Sequence, residues 1–398
     1  MRPFEGIRVL DFTRVVSGPY CTQMLGYLGA EIIKIEDRDG DSTRRGAGDA
    51  VLKKENMSAT YLMFNAGKKS MTLDLKQPEA REVVMKLARS ADVLVENFRA
   101  GAIDRLGLGY QAIRRENPGI IYCSISGFGQ SGPDATAPAF DGNIQAMSGM
   151  MAMTGEPDGA PMRAGYSVCD TATGLNAALA ISAALYQRRD SHEGQHIDVA
   201  MLDSAISLAS QTIGPWLNGG IVQPRRANLS INFEPIADAF QTAQGAMILA
   251  IMRDEHVKLA LRALGMEQFI SDPRFATRDA RVSNAKFIRD LVQAELMKAP
   301  ASQWKLRFDE AGVPCSPVLE TPEALSQPQV QHRGLVRESI DAKTGQTMRM
   351  LNAPFQFAHD GPEPNFPPQR LGTHNEEVLT ELGYKADDIA DLARRKVI

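Results

Sequence analysis

IRVLDFTRVVSGPYCTQMLGYLGAEIIKIE, residues Ile7 to Glu36, begins and ends in β-type runs, Ile7–Phe12 and Glu31–Glu36. Between them lie a loop, Thr13–Pro19, and a helical pattern that stops at Gly29. Strand, tight turn, helix and strand make a βαβ unit, the element that opens doubly wound α/β domains and places ligands at strand carboxyl ends. The dinucleotide fingerprint is missing: Thr13 to Gly18 reads TRVVSG, not G-x-G-x-x-G, although Glu36-Asp37 puts an acid where an NAD ribose would want one. No G-x-x-x-x-G-K-[ST] phosphate loop occurs.

The alternation continues outward from this unit. Pro78–Arg89 is an amphipathic helix with proline near its start, Asp92–Glu96 and Ile120–Ser126 are strands, Leu175–Gln187 is a long helix and Gln195–Leu202 is strand-like. This pattern predicts a largely parallel sheet. The polar stretch Asp37–Ser58 reads as a long loop. Beyond Gly219-Gly220 the texture changes. Strands at Ala237–Phe240 and Ala246–Ile251, with helices at His256–Leu264, Phe287–Met297 and Ser302–Glu310, predict a smaller α+β domain. From Pro328 the chain is proline-rich, with a hairpin expected around Lys343–Gln346 and helices at Asn375–Leu382 and Ala386–Arg395. The expected division is 1–220, 221–330 and 331–398, the last segment returning to the large domain.

The 398 residues carry 44 basic and 48 acidic side chains, a net charge of −4, with the basic residues scattered. Nothing here calls for nucleic acid, whereas a small polyanionic ligand fits. No apolar run reaches about 18 residues and the amino terminus enters a strand directly, so a soluble cytoplasmic protein is expected. Cys21, Cys123, Cys169 and Cys315 are far apart, which predicts buried thiols rather than disulfides or a zinc site.

His192-Glu193-Gly194-Gln195-His196 matches the H-E-x-x-H zinc pattern by letter. That motif needs both histidines on one helical face, and here a glycine interrupts a helix-to-strand junction, so no metal is expected. Cys169 has no histidine close in sequence, and no G-x-S-x-G elbow occurs. Residues 165–188, GYSVCDTATGLNAALAISAALYQR, carry one carboxylate, Asp170, before a cluster of small residues and an alanine-rich helix. Most acids in such places are N-caps. Helix N–H groups that make Asp170 a cap would also keep it ionised, and a desolvated aspartate is a competent nucleophile toward a thioester.

Several motifs, taken in order, resemble the class III CoA-transferases, the formyl-CoA transferase family. They are the run from Gly6 to Glu36, Lys68-Lys69-Ser70 with Leu73–Lys76, VENFRAGAIDRLGLG from Val95 to Gly109, SISGFGQSGP from Ser124 to Pro133, VCDTATG from Val168 to Gly174, and LGTHNEEVLTELGY from Leu371 to Tyr384. The resemblance implies a Rossmann-like large domain built from both chain ends, a small middle domain, and two protomers interlocked as rings. It implies that Asp170 forms anhydride and aspartyl-CoA thioester intermediates, with coenzyme A as substrate and no permanently bound cofactor. The CoA contacts it implies are Val16, Ser17, Leu73 to Lys76, Asn97, Phe98, Arg99 and Arg105, and the substrate contacts are Tyr61, Phe140 and Asp141. The family's arginine after the second strand is replaced by Asp37, so Arg38 is a displaced candidate, and the glycine-rich loop of the formyl enzymes is absent around Asn228–Pro235.

The related α-methylacyl-CoA racemases carry Gly-His-Asp where this chain has Ala139-Phe140-Asp141. Phenylalanine exchanges no proton, which favours transfer over racemisation. Asp141 either orients a substrate or caps the helix before Ile144. The expected reaction is ping-pong transfer of CoA from an acyl-CoA, succinyl-CoA among the donors, to a carboxylic acid, dicarboxylic acids among the acceptors. Racemisation and non-catalytic CoA binding are the alternatives. Arg44, Arg45, Arg163, Arg225 and Arg226 are loop arginines available to a second carboxylate.

Overall fold

In the computed structural model, which describes residues 1–398, β1 (Arg8–Asp11), β2 (Glu31–Glu36), β3 (Lys68–Thr72), β4 (Val93–Glu96), β5 (Ile121–Ser126) and β6 (Gln195–Ala200) form one sheet. Its order is β3-β2-β1-β4-β5-β6 and every pairing is parallel. The order reverses at β1, so the crevice above β1 and β4 is the switch point where such sheets bind ligands.

Alternate residues of each central strand enter different cores, as period-two side-chain direction requires. Leu10, Ile33, Leu94 and Tyr122 pack with Val83, Val84 and Leu87 of the Pro78–Ser90 helix. On the opposite face Val9, Ile32, Val93, Val95 and Ile121 meet Met24 and Leu25 of the Ser17–Tyr27 helix and Ala177, Ile181 and Ala184 of the Val168–Ser191 helix. Each such aliphatic side chain contributes about 1.5–3 kcal/mol by leaving water. These helices hold the carboxyl ends of β1, β4 and β5 in place beneath the site.

The chain divides into two units, Met1–Ala152 with Arg163–Gln223 and Gln329–Ile398, and Met153–Met162 with Pro224–Pro328. The smaller has its own antiparallel sheet, β7 (Ala239–Gln241), β8 (Ala246–Leu249) and β9 (Cys315–Pro317), over a core containing Met247, Val292, Leu296, Trp304 and Phe308. The buried indole of Trp304 donates to the Leu296 carbonyl at 2.8 Å. In the larger unit, β10 (Val336–Ile340) and β11 (Thr347–Leu351) form the expected hairpin.

Three features depart from expectation. β3 was not legible as a strand, because Lys68-Lys69 reads as solvated charge; in fact Lys68 is buried, pairing with Asp11 at 3.0 Å and donating to the Pro19 carbonyl at 2.9 Å. The Asp37–Ser58 loop contains a short turn of helix at Ser42–Arg45 and a helix at Ala50–Lys54, capped by the carboxylates of Asp41 and Asp49. The long helix runs from Val168 to Ser191 rather than from Leu175, which makes it the one helix long and apolar enough, by length and composition, to cross a membrane. Half of its most apolar stretch is buried inside the fold.

Candidate active site

The site is assembled where the loop after β1 meets the start of the Val168–Ser191 helix. Gly174 makes the approach possible: a Cβ there would lie 2.5 Å from the Ser17 carbonyl and 3.3 Å from the Cys21 nitrogen. The small-residue cluster therefore admits the Ser17–Tyr27 helix. This contact brings Ser17 and Asp170 onto the wall of one cavity.

Asp170 is not the cap of its helix. It is the third helical residue, behind Ser167 at the N-cap position, and the capping is done by Asp141, one of whose oxygens accepts from Cys169 N at 2.8 Å and Asp170 N at 3.2 Å. Nor does Asp141 cap its own helix, Asp141–Met147, where it is the first helical residue. The two aspartates thus share one helix start. Burial raises Asp170 to about 6, the neighbouring charge of Asp141 adds to the rise, and the Ser17 hydroxyl opposes it. Cys169 is pushed by burial to about 12, so its thiol stays protonated near neutrality.

Asp170 lines a cavity of about 210 Å³ with Arg14, Val15, Ser17, Asn97, Phe98, Arg99 and Phe140. A second cavity, about 460 Å³, is lined by Ile35–Asp39, Leu73–Lys76, Arg14 and Phe98. Arg14 and Phe98 belong to both walls, with the guanidinium carbon 5.5 Å from the Phe98 ring centre and a 2.9 Å ion pair to Asp37. A ligand with an anionic end and a long arm could occupy the pair, since Arg38 and Lys76 in the larger cavity are in no ion pair and Arg99 is exposed in the smaller.

Ser17, Asn97, Phe98, Arg99, Phe140 and Asp170 are thus brought together around one cavity, and Arg38, Leu73, Lys76 and again Phe98 around the other. Asn97 spends its side-chain amide on the loop, accepting from Arg14 N and donating to Arg14 O, both at 2.8 Å. Val16, Arg105 and Asp141 line neither cavity. Tyr61 also lies outside both: it is buried under the Arg44 guanidinium, 3.8 Å from its ring centre, and reaches the Gln369 carbonyl. Arg44 is occupied as well, gripping Glu36 with two nitrogens at 2.6 and 2.7 Å inside the fold, so it is not available to a substrate. Arg163 is exposed with its guanidinium next to Gly142.

The H-E-x-x-H letters fall on two elements. His192 ends the long helix in a left-handed conformation, φ 58°, and His196 lies in β6, stacked on Tyr110 at 4.9 Å and hydrogen-bonded to the Ser124 hydroxyl. Gly194 is required at the junction, because a Cβ there would lie 2.0 Å from the Ile120 carbonyl.

Sequence reasoning missed Arg14, Asp41 and Glu96. Glu96, at the end of β4, accepts from Phe98 N at 2.8 Å and is raised by burial to about 7. Its signal was an acid closing an otherwise apolar strand, VLVE, at the switch point.

Comparison with known proteins bears directly on this arrangement. The model of "CoA-transferase family III" matches residues 4–375. The chain belongs to that family. It is 39% identical over 386 residues to a succinate–glutarate CoA-transferase of Agrobacterium fabrum, covering 96% of each chain. It is 32% identical over 399 residues to the human succinyl-CoA:glutarate CoA-transferase, covering 100% of this chain and 90% of that one. Among solved structures, a CAIB/BAIF family protein from Brucella suis superposes with a TM-score of 0.87 at 32% identity, over 96% of this chain and 99% of its own. The CoA-transferase is thus similar to these relatives over both units, and its thioester substrates are the long-armed anions that two adjoining cavities suit.

Proposed function

We propose that this class III CoA-transferase moves CoA from succinyl-CoA to a dicarboxylic acid through covalent intermediates on Asp170. The observation that carries the mechanism is Asp170 itself, half-buried in the first turn of a helix and opening on a cavity that adjoins a second one with free cationic groups. The names of the relatives support the substrates.

The chemistry balances without ATP or metal. An Asp170 oxygen attacks the thioester carbonyl, the C–S bond breaks, and CoA leaves as thiolate with a mixed anhydride behind it. The thiolate attacks the Asp170 carbonyl carbon, expelling the donor acid and forming an aspartyl-CoA thioester. The acceptor carboxylate attacks that thioester and expels CoA, giving a new anhydride. Attack of the thiolate on the acceptor's acyl carbon then restores Asp170. The CoA contacts in this reading are Ser17, Arg38, Leu73, Lys76, Phe98 and Arg99, with Arg14 added.

The working molecule in this reading is a homodimer of interlocked protomers. Its support is an uncovered apolar face on the long helix, where Leu179 is 70% and Tyr186 72% exposed.

Wild-type enzyme incubated with succinyl-CoA and then hydroxylamine is expected to carry a hydroxamate on Asp170, located by peptide mass spectrometry. Asp170→Ala is expected to lose both the label and exchange between labelled succinate and succinyl-CoA by at least about a thousandfold, the usual scale for losing a nucleophile. An Asp170→Ala variant with full exchange activity overturns the mechanism.

A further inference from the structure

The ion pair of Lys34 and Asp41 has no part in the chemistry above. The two side chains are completely buried, with Nζ and Oδ2 3.3 Å apart. A buried pair of this kind is often no more stabilising than apolar residues of the same volume. What the pair touches gives it another role. Lys34 donates to the Thr13 carbonyl at 2.7 Å, and Asp41 accepts from Val15 N at 3.1 Å. Asp41 is in turn fixed by Thr43, whose backbone N–H donates to it at 2.9 Å and whose hydroxyl donates at 2.8 Å.

These bonds bracket an unusual residue. Val15 has φ 70°, in the left-handed region that a β-branched side chain enters only when its surroundings impose it. The preceding donors of the loop are tied down too, Thr13 N to the Asp11 carboxylate at 2.9 Å and Arg14 N to Asn97 at 2.8 Å. Two residues after Val15, Ser17 opens its helix, and Val15, Ser17 and Asp170 all line one cavity. Were Val15 to relax to negative φ, the chain would enter Ser17 from a different direction.

We propose that Asp41, clamped by Lys34, is a positioning residue for CoA transfer: its carboxylate holds Val15 in the left-handed conformation that aims Ser17 at Asp170. The inference rests on the assignment of Asp170 as nucleophile.

The test is a mutant cycle. Asp41→Leu and Lys34→Met are made together, so that no unpaired charge is left inside the fold. The pair is measured in the wild-type and Val15→Gly backgrounds by exchange of labelled succinate with succinyl-CoA. In the wild-type background kcat is expected to fall about five- to thirtyfold, the range that corresponds to the cost of one left-handed residue, with KM for succinyl-CoA changing less than about twofold. In the Val15→Gly background the further fall is expected to shrink below about twofold, because glycine takes positive φ without that cost. Equal falls in both backgrounds overturn the proposal and leave the pair a stabilising role, read separately by urea unfolding. If the paired replacement does not fold, Asp41→Asn goes through the same cycle with the same two readings. Hydroxylamine labelling of the wild-type enzyme is read first. No label on Asp170 overturns the nucleophile assignment and the positioning role together, whereas labelling without coupling overturns only the positioning role.

Discussion

In the proposed mechanism Asp170 is under two opposed demands, since only its ionised form attacks a thioester while burial and the charge of Asp141 favour the protonated form. With the carboxyl raised to about 6, transfer activity is expected to be full above neutrality and to fall tenfold per pH unit once the pH drops below about 6. Asp141→Asn removes the like charge, so the acid limb should move to lower pH; a pH profile of kcat/KM for both proteins checks the direction. A limb that moves upward, or not at all, would show that Asp141 does not act on Asp170 through its charge. At this scale Asp170 could be named as a candidate because its motif is contiguous in sequence. Asp141 was not legible in its role, because the helix start it serves lies 28 residues away. Lys34 was hidden differently: inside EIIKIE a lysine reads as a solvated interruption, and only the fold reveals a carboxylate and a carbonyl waiting for it.

Among the elements, the crossing of the Ser17–Tyr27 helix over the long helix carries the site. Gly174→Ala places a methyl group 2.5 Å from the Ser17 carbonyl, a backbone atom that cannot rotate aside. The expected result is a loss of about 1–3 kcal/mol in urea unfolding, the usual range for overpacking, together with a drop in kcat from the displaced Ser17. An unchanged denaturation midpoint would mean that the two helices separate freely. Since apolar runs bounded by turns leave few other options, the βαβ unit and the strands β5 (Ile121–Ser126) and β6 (Gln195–Ala200) were readable, β6 being two residues shorter than the Gln195–Leu202 run because Met201 and Leu202 begin a helix. The start of the long helix and the β3 strand were not. Val168–Gly174 has poor helix formers that are stabilised by contacts from Asp141 and Ser17, and β3 is a strand because Asp11 neutralises its lysine. In both, tertiary partners outweigh local preference.

For the whole molecule, the apolar residues left in solvent along one helix predict association. Light scattering is expected to give twice the chain mass, and Leu179→Arg with Tyr186→Glu to shift the protein toward monomer or toward insolubility. An unchanged dimer would place the interface elsewhere. The alternation of elements made the α/β architecture readable at this scale, but no local pattern shows which distant segments close the sheet. That closure is done by the Asn375–Glu381 and Ala386–Arg394 helices, whose Val378, Leu379 and Leu392 join the core beside the Pro78–Ser90 helix, with Val397 after them. The side chain of Asn375 accepts from Thr72 N and donates to the Thr72 hydroxyl, and Asp74 N donates to the Val397 carbonyl. Partners 303 residues apart therefore meet at the edge strand. A ribosome adding about 5–20 residues each second needs a quarter of a minute or more to cover that interval. Over that interval the N–H groups of Ser70 and Thr72 lack the partners that His374 and Asn375 supply, so a chain truncated before His374 is expected to present an open edge strand to other chains.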